Sequence, residues 1–436
     1  MGFIFLFLKI ILKILLNFCI SVQEFSSCVK SYICTEEPNH ILLMKLPSIH
    51  QYQSGHSVEL LRSGNPYFAA CVEAIDNARQ FIHFQTYIFD NDETGRKILD
   101  ALVRAALRGV SVYFLLDAYG GKSFPLHLEQ EAEKAGILFR RFSPGLMSEG
   151  FQFSLRLHHK VLLVDGETAI IGGMNIANRY HGKRGRKEWL DFAVSLKGPQ
   201  CVHVLFILKK LWNKKFLKRR EQSRETIHNP FIHEENVRAK VVQNNWYRNK
   251  IEILNSYRSA LKHSRENMIM MASYFLPGRN ERKLLRNASR RGVDITIVLS
   301  AESDAPMFKR ATNLLYRFIL RNDIKIFEYL PSNLHAKVAT VDGKWSTIGS
   351  YNLNHLSDYG SIEMNVNILD EKFTGEFEKI LKTIIQKDCR QVTFENYIHR
   401  KRWPSRLIDW TSYQLIRILL RIMFILTSKG PKKHSV

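Results

Sequence analysis

The chain has 436 residues, too many for one ordinary core, so two domains or two large pseudo-repeats are expected. Its 45% hydrophobic content is that of a folded protein and excludes disorder as the default, while a net charge of +23 points to a polyanionic partner: nucleic acid, an anionic membrane surface, or both. Six scattered cysteines (Cys19, Cys28, Cys34, Cys71, Cys201, Cys389) form no CxxC pair, which argues against a disulfide framework or zinc site and for free thiols in a reducing compartment.

Residues 3–20 (FIFLFLKIILKILLNFCI) are apolar apart from Lys9, Lys13 and Asn17, which are spaced four apart and share one helical stripe. The run is just long enough to span a bilayer, but each central lysine would cost roughly 2.5–3.5 kcal/mol there. A helix lying in the interface, lysines up and apolar face down, avoids that cost and is the expected arrangement. A spanning helix is the alternative. A cleaved signal fits less well, because no charge precedes the apolar run and no A-x-A-like site follows it.

Next comes a strand–helix–strand unit. ARQFIHFQTYIF (78–89) reads as a buried strand, a helix follows through Arg96 to Arg108, and VSVYFLLDA (110–118) is the second strand. Gly109 is the expected helix C-cap. LHHKVLLVDG (157–166) reads as a further strand carrying His158-x-Lys160-x4-Asp165, and alternation puts His158 and Lys160 on one face. The pair Gly172-Gly173 and then Asn175 follow; small residues here let a ligand approach the backbone. Residues 209–237 begin with a basic run, Lys209 to Arg220, and form a linker. Such a run is ordinarily a solvated helix face; the alternative is a membrane-facing patch near a site mouth.

The pattern then repeats. SRENMIMMASYFL (264–276) is the strand, a helix runs from Arg282 to Arg291, Gly292 caps it, and DITIVLSAE (294–302) is the next strand. LHAKVATVDG (334–343) carries His335-x-Lys337-x4-Asp342, followed by Gly349-Ser350 and Asn352 at spacing equal to that of the first copy. Two copies with the same downstream residues establish an internal duplication, and a pair of histidines points to covalent phosphoryl chemistry. By contrast, lone histidines such as His83, His127, His263 and His355 are expected to be satisfied core residues. The chain closes with a basic stretch to Arg402, then Trp403, Trp410 and an apolar run from Leu415 to Leu426 interrupted by Arg417 and Arg421. Peripheral attachment to anionic lipid is expected, with a helix packed on the protein body as the alternative.

The duplicated H-x-K-x4-D-x6-G-[GS]-x-N resembles the phospholipase D superfamily from about residue 55 to 395. The stretches LLDAYG (115–120), IIGGMNIANRY (170–180), ASYFLPG (272–278) and SIEMNVNI (361–368) are most similar to the bacterial cardiolipin synthases. The resemblance implies an α/β fold of two pseudo-symmetric halves, each a mixed β-sheet flanked by helices, with one active site at their interface. The implied division is a membrane segment at 1–45, halves at 50–208 and 238–395 joined by the linker at 209–237, and a membrane-associating segment at 396–436.

It also implies roles. His158 attacks phosphorus and His335 is the acid/base, or the reverse. Lys160, Lys337, Asn175, Asn352 and Ser350 bind the phosphate, and Asp191 and Glu363 orient the histidines. Asp165 and Asp342 complete the signature as positioning residues. No metal or cofactor is implied. The expected reaction is phosphatidyl transfer between two phosphatidylglycerol molecules, giving cardiolipin and glycerol. A hydrolytic phospholipase D, a nuclease of the same superfamily and a non-enzymatic scaffold are the rivals. The lipid-seeking ends argue against nucleic acid as partner, and the expected location is the cell membrane, peripheral on its cytoplasmic face.

Overall fold

The computed structural model describes residues 52–142, 156–182, 187–213, 223, 225, 233–245, 250–354, 357, 360–400 and 407–418. The N-terminal apolar run, the three cysteines before residue 35, His355, Trp403, Arg421 and most of the linker lie outside the described residues.

The first half contributes eight strands: β1 (Gln53–Arg62), β2 (Phe81–Thr86), β3 (Ser111–Asp117), β4 (Leu138–Phe142), β5 (Arg156–Leu157), β6 (Lys160–Val164), β7 (Thr168–Gly172) and β8 (Phe192–Lys197). The second contributes nine: β9 (Val237–Asn245), β10 (Lys250–Ile251), β11 (Asn267–Ala272), β12 (Asp294–Ser300), β13 (Lys325–Tyr329), β14 (Lys337–Val341), β15 (Trp345–Gly349), β16 (Ser361–Leu369) and β17 (Cys389–Val392). In half 1 the neighbours run β4-β3-β2-β6-β7-β8-β1, with the first three parallel and the rest antiparallel. In half 2 they run β13-β12-β11-β14-β15-β16-β9 with the same senses. The duplication read in the sequence is therefore a duplication of topology.

The parallel strands are bracketed by helices, which is why they read as nearly continuous apolar runs. Residues Glu93–Leu107 form the crossover between β2 and β3, and Arg279–Arg290 the one between β11 and β12. Each ends in the predicted glycine. Gly109 has φ 90° and Gly292 has φ 89°, a conformation that favours glycine. Val110 N donates to Ala105 O and Gly109 N to Ala106 O, and Val293 N and Gly292 N repeat this on Ala288 and Ser289. These bonds cap the last helical carbonyls.

Two cores each lie within one half, built on residues such as Ile98, Leu102 and Phe114 in the first, and Leu285, Ile297 and Leu315 in the second. A third core is shared: Leu163, Ile171 and Val194 of the first half pack with Val338, Ile348 and Val366 of the second. The halves are also stitched by main chain. β1 pairs with β8 and then with β9, and β5 pairs with β16.

Two sequence expectations change. The single strand predicted at 157–166 is broken at His158-His159, because β5 leaves its own sheet to pair with the other half. His127 and His263 are exposed rather than in the core. His83 alone among the described three is buried, with Nε2 3.0 Å from Ser223 Oγ. The helical residues 407–418 pack on the second half through Ile416 and through Asp409, which lies 3.9 Å from Arg310. Their outward side is apolar: Leu407, Ile408, Trp410 and Ile418 are exposed.

Candidate active site

Both histidines sit where one half's chain crosses onto the other's. His158 N and His159 N donate to Ile362 O, and His335 N donates to Leu190 O at 2.8 Å. Their side chains cross as well. His158 Nδ1 lies 2.9 Å from Glu363 of the second half, and His335 Nδ1 lies 2.6 Å from Asp191 of the first. A carboxylate at Nδ1 fixes the proton there and leaves the Nε2 lone pair facing the cleft.

The lysines are buried beneath them. Lys160 Nζ donates to the His158 carbonyl at 2.5 Å, and Lys337 Nζ donates to the His335 carbonyl and lies 3.9 Å from Asp191. Burial pulls Lys160 down to about 7 and Lys337 to about 8, since no solvent supports either charge. Burial also pushes Asp191 up to about 7. His335 is held well below its usual value, by burial first and then by Lys337, Lys160 and His158. His158 is lowered mainly by burial, against the pull of Glu363. Desolvation outweighs the support that Glu363 and Asp191 give the two buried lysines, so an anion entering beside them favours their charged forms.

The smaller residues of the signature differ between the copies for a steric reason. A Cβ on Gly173 would meet Asp191 Oδ2 at 2.5 Å, so only glycine fits. At the matching position Ser350 donates to Glu363 Oε2 at 2.5 Å. Asn352 is buried with Oδ1 unpartnered, whereas Asn175 has both ends of its amide engaged. Asn175 Oδ1 accepts from Ile88 N, and Nδ2 donates to Tyr180 OH at 2.9 Å.

The structure does not bring Asp165 and Asp342 into the cleft. Each stands at the other end of its strand with φ near 50° and accepts three backbone amides: Arg79, Gln80 and Phe81 for Asp165, and Arg265, Glu266 and Asn267 for Asp342. They clamp the entry to β2 and β11.

Sequence reasoning missed the aromatic wall. Tyr87 lies 5.0 Å from the His158 ring, and Tyr180 and Trp189 lie 5.2 and 6.0 Å from that of His335. The signal for Tyr180 was present: it follows Asn175 by five, where the second copy has Ser357.

The family model described as "Cardiolipin synthase, PLD-like domain" matches residues 71–201 and 257–385. Cardiolipin synthase B of Escherichia coli K12 is 33% identical over 391 residues, covering 88% of this chain and 94% of that one. Cardiolipin synthase B of Salmonella typhimurium is 31% identical over 373 residues, covering 84% and 89%. Among solved structures, phosphatidylserine synthase of Haemophilus influenzae superposes with a TM-score of 0.64 at 13% identity, covering 87% of this chain and 97% of its own, a likeness of fold. With one signature in each of the two matched repeats, the chain belongs to the PLD-like cardiolipin synthase family and is a phosphatidyltransferase of the phospholipase D superfamily.

Proposed function

We propose that the protein moves a phosphatidyl group from one phosphatidylglycerol to a headgroup hydroxyl of another, giving cardiolipin and glycerol through a phosphohistidine at His158. The observation that carries this reading is the crossed pair of histidine–carboxylate contacts closing over two buried lysines. Two imidazoles with free Nε2 atoms can serve as nucleophile and proton carrier in one cleft.

His158 is the better nucleophile, because its side chain is 19% exposed against 8% for His335. In the first step His158 Nε2 forms a bond to phosphorus, the bond to the glycerol oxygen breaks, and His335, which takes up a proton at Nε2 as the anionic substrate enters, gives that proton to the departing oxygen. In the second, the acceptor hydroxyl passes its proton to His335 as its oxygen displaces His158. Lys160 and Lys337 neutralise the phosphoryl oxygens, and the arriving anion restores their full charge. The Asn352 amide NH2 donates to those oxygens at that end of the site, where Ser350 holds Glu363. No step uses a metal or cofactor. The substrate places the enzyme at a membrane, and the apolar outer side of residues 407–418 suits peripheral attachment there.

The test is to incubate the purified full chain with labelled phosphatidylglycerol in mixed micelles containing chelator, and to resolve the products. Cardiolipin with glycerol is expected; phosphatidic acid alone would overturn the transferase reading in favour of hydrolysis. Acid quenching should trap label on His158, and label on His335 instead would reverse the two roles.

A further inference from the structure

We propose that Tyr180 is the alcohol-selecting residue of this site: its hydroxyl seats the acceptor's oxygen beside His335 Nε2 and so favours transfer over hydrolysis. The inference rests on the reading of His335 as the acid/base.

The geometry is directional. Tyr180 OH lies 3.3 Å from His335 Nε2, the atom left facing the cleft once Asp191 holds Nδ1. Asn175 Nδ2 donates to the same phenol oxygen at 2.9 Å. The amide's orientation is set by its other end, which accepts from Ile88 N at 3.2 Å. With Asn175 supplying a proton to the phenol oxygen, Tyr180's own proton points at His335 Nε2. The hydroxyl therefore stands beside the space that an alcohol oxygen takes when it exchanges a proton with that nitrogen, and turns its proton from Nε2 to that oxygen when the alcohol arrives.

The surroundings hold it there. Tyr180 is 1% exposed, and its ring packs edge-on to Trp189 at 5.5 Å. The short turn that carries it is pinned by three contacts. Asn178 N donates to Asp92 Oδ2 at 2.7 Å, Thr94 Oγ1 to Asn178 Oδ1 at 2.7 Å, and Gly64 N to Tyr180 O at 2.8 Å. The arrangement is one-sided. Ser357 takes the equivalent place in the second half, and among the described residues the ring of His158 is hydrogen-bonded to Glu363 and to no hydroxyl. A duplicated site with a phenol hydrogen-bonded to only one histidine distinguishes the histidine that exchanges protons with an alcohol from the one that carries the phosphoryl group.

In the second step the P–N bond to His158 breaks as the acceptor oxygen bonds to phosphorus. The acceptor's proton goes to His335 Nε2, and Tyr180 keeps its own proton, donating it as a hydrogen bond to the acceptor oxygen. A carbon-bearing alcohol is held by that bond and by the Tyr180 and Trp189 faces; water has only the bond, so the aromatic wall favours the alcohol.

The experiment reads a ratio rather than a rate. Wild type and Tyr180→Phe are given labelled phosphatidylglycerol in mixed micelles, and cardiolipin formed is divided by phosphatidic acid formed. The expected result is a fall of about tenfold in that ratio, the effect of one lost hydrogen bond, with the trapped phosphohistidine still on His158. Asn175→Ala, which keeps the phenol but removes the amide that aims it, should move the ratio the same way and decides the matter if Tyr180→Phe fails to fold. An unchanged ratio in a folded variant overturns the role of Tyr180. Wild type that makes no cardiolipin overturns the transferase reading instead, whatever Tyr180 does.

Discussion

Glu363 in the second half holds His158 Nδ1 in the first at 2.9 Å, and Asp191 in the first holds His335 Nδ1 in the second at 2.6 Å. Each half thus supplies one histidine and the carboxylate that orients the other half's histidine. Because backbone bonds from His158 and His335 cross the same boundary, a shift of one half against the other would break both pairs at once.

Glu363→Gln and Asp191→Asn keep the shape but let the wrong imidazole nitrogen carry the proton. By analogy with serine-protease triads, each should lower the transfer rate roughly 10³–10⁴-fold while the melting temperature changes little. The measurement is initial rates beside a thermal melt. An activity loss that tracks a lost fold would instead make the carboxylates structural.

The buried lysines cost stability for function. Lys160 is protonated near 10.5 in the unfolded chain but only to about 7 in the fold, so between those values the unfolded state binds more protons and stability rises with pH. Asp191 goes from 3.8 to about 7, so between those values the folded state binds more protons and stability falls as pH rises. The two together predict a stability minimum near neutral pH. Lys160→Met should abolish transfer, raise the melting temperature at pH 7 and flatten the alkaline rise. Inorganic phosphate should stabilise wild type and not the variant. A melt that is unchanged by both would show that these lysines are solvated.

Much of this was legible in the primary structure. The repeated Arg-Gly-Val after each helix announced the caps, and the doubled signature announced the site's histidines and lysines, while Asp191 and Glu363 came only from the family resemblance. What stayed hidden is long-range. Nothing in 157–166 says that β5 pairs with β16, since register between distant strands leaves no local pattern. Nor could spacing say that Asp165 and Asp342 face away from the cleft, because seven strand residues span roughly 23 Å and the motif is written along the strand, not across it. Asn175 and Tyr180 form a unit only because Ile88 fixes the amide.

Asp165 and Asp342 should accordingly behave as folding residues. Asp165→Asn removes charge from an acceptor of three backbone amides and should cost about 1–3 kcal/mol of stability. Activity per folded molecule at low temperature should stay near wild type. A large loss of transfer with an unchanged melt would return Asp165 to the chemistry.

The two copies should also differ at their small residues. Gly173→Ala drives a Cβ to within 2.6 Å of both Asp191 oxygens, so the carboxylate must leave His335. A displacement of about 1 Å at such a group costs on the order of 100-fold in rate. Ser350→Ala only deletes a donor to Glu363, and a loss of roughly tenfold or less is expected. Equal effects at the two positions would mean that the steric difference between the halves is unimportant.

The last prediction concerns attachment. Residues 407–418 bury Asp409 and Ile416 against the second half while Leu407, Trp410 and Ile418 stay exposed, at 54%, 50% and 53%. Spaced at three and eight residues, they fall on one helical face. An exposed apolar face on a strongly basic chain matches a surface that is both apolar and anionic. Trp410→Glu with Ile418→Glu should therefore weaken sedimentation with phosphatidylglycerol vesicles at least tenfold, and added salt should weaken wild-type binding too, by screening the basic charge. Turnover on a short-chain, water-soluble phosphatidylglycerol should be preserved in the variant, because the helix touches neither histidine. Vesicle binding that survives both substitutions would place the attachment elsewhere on the chain.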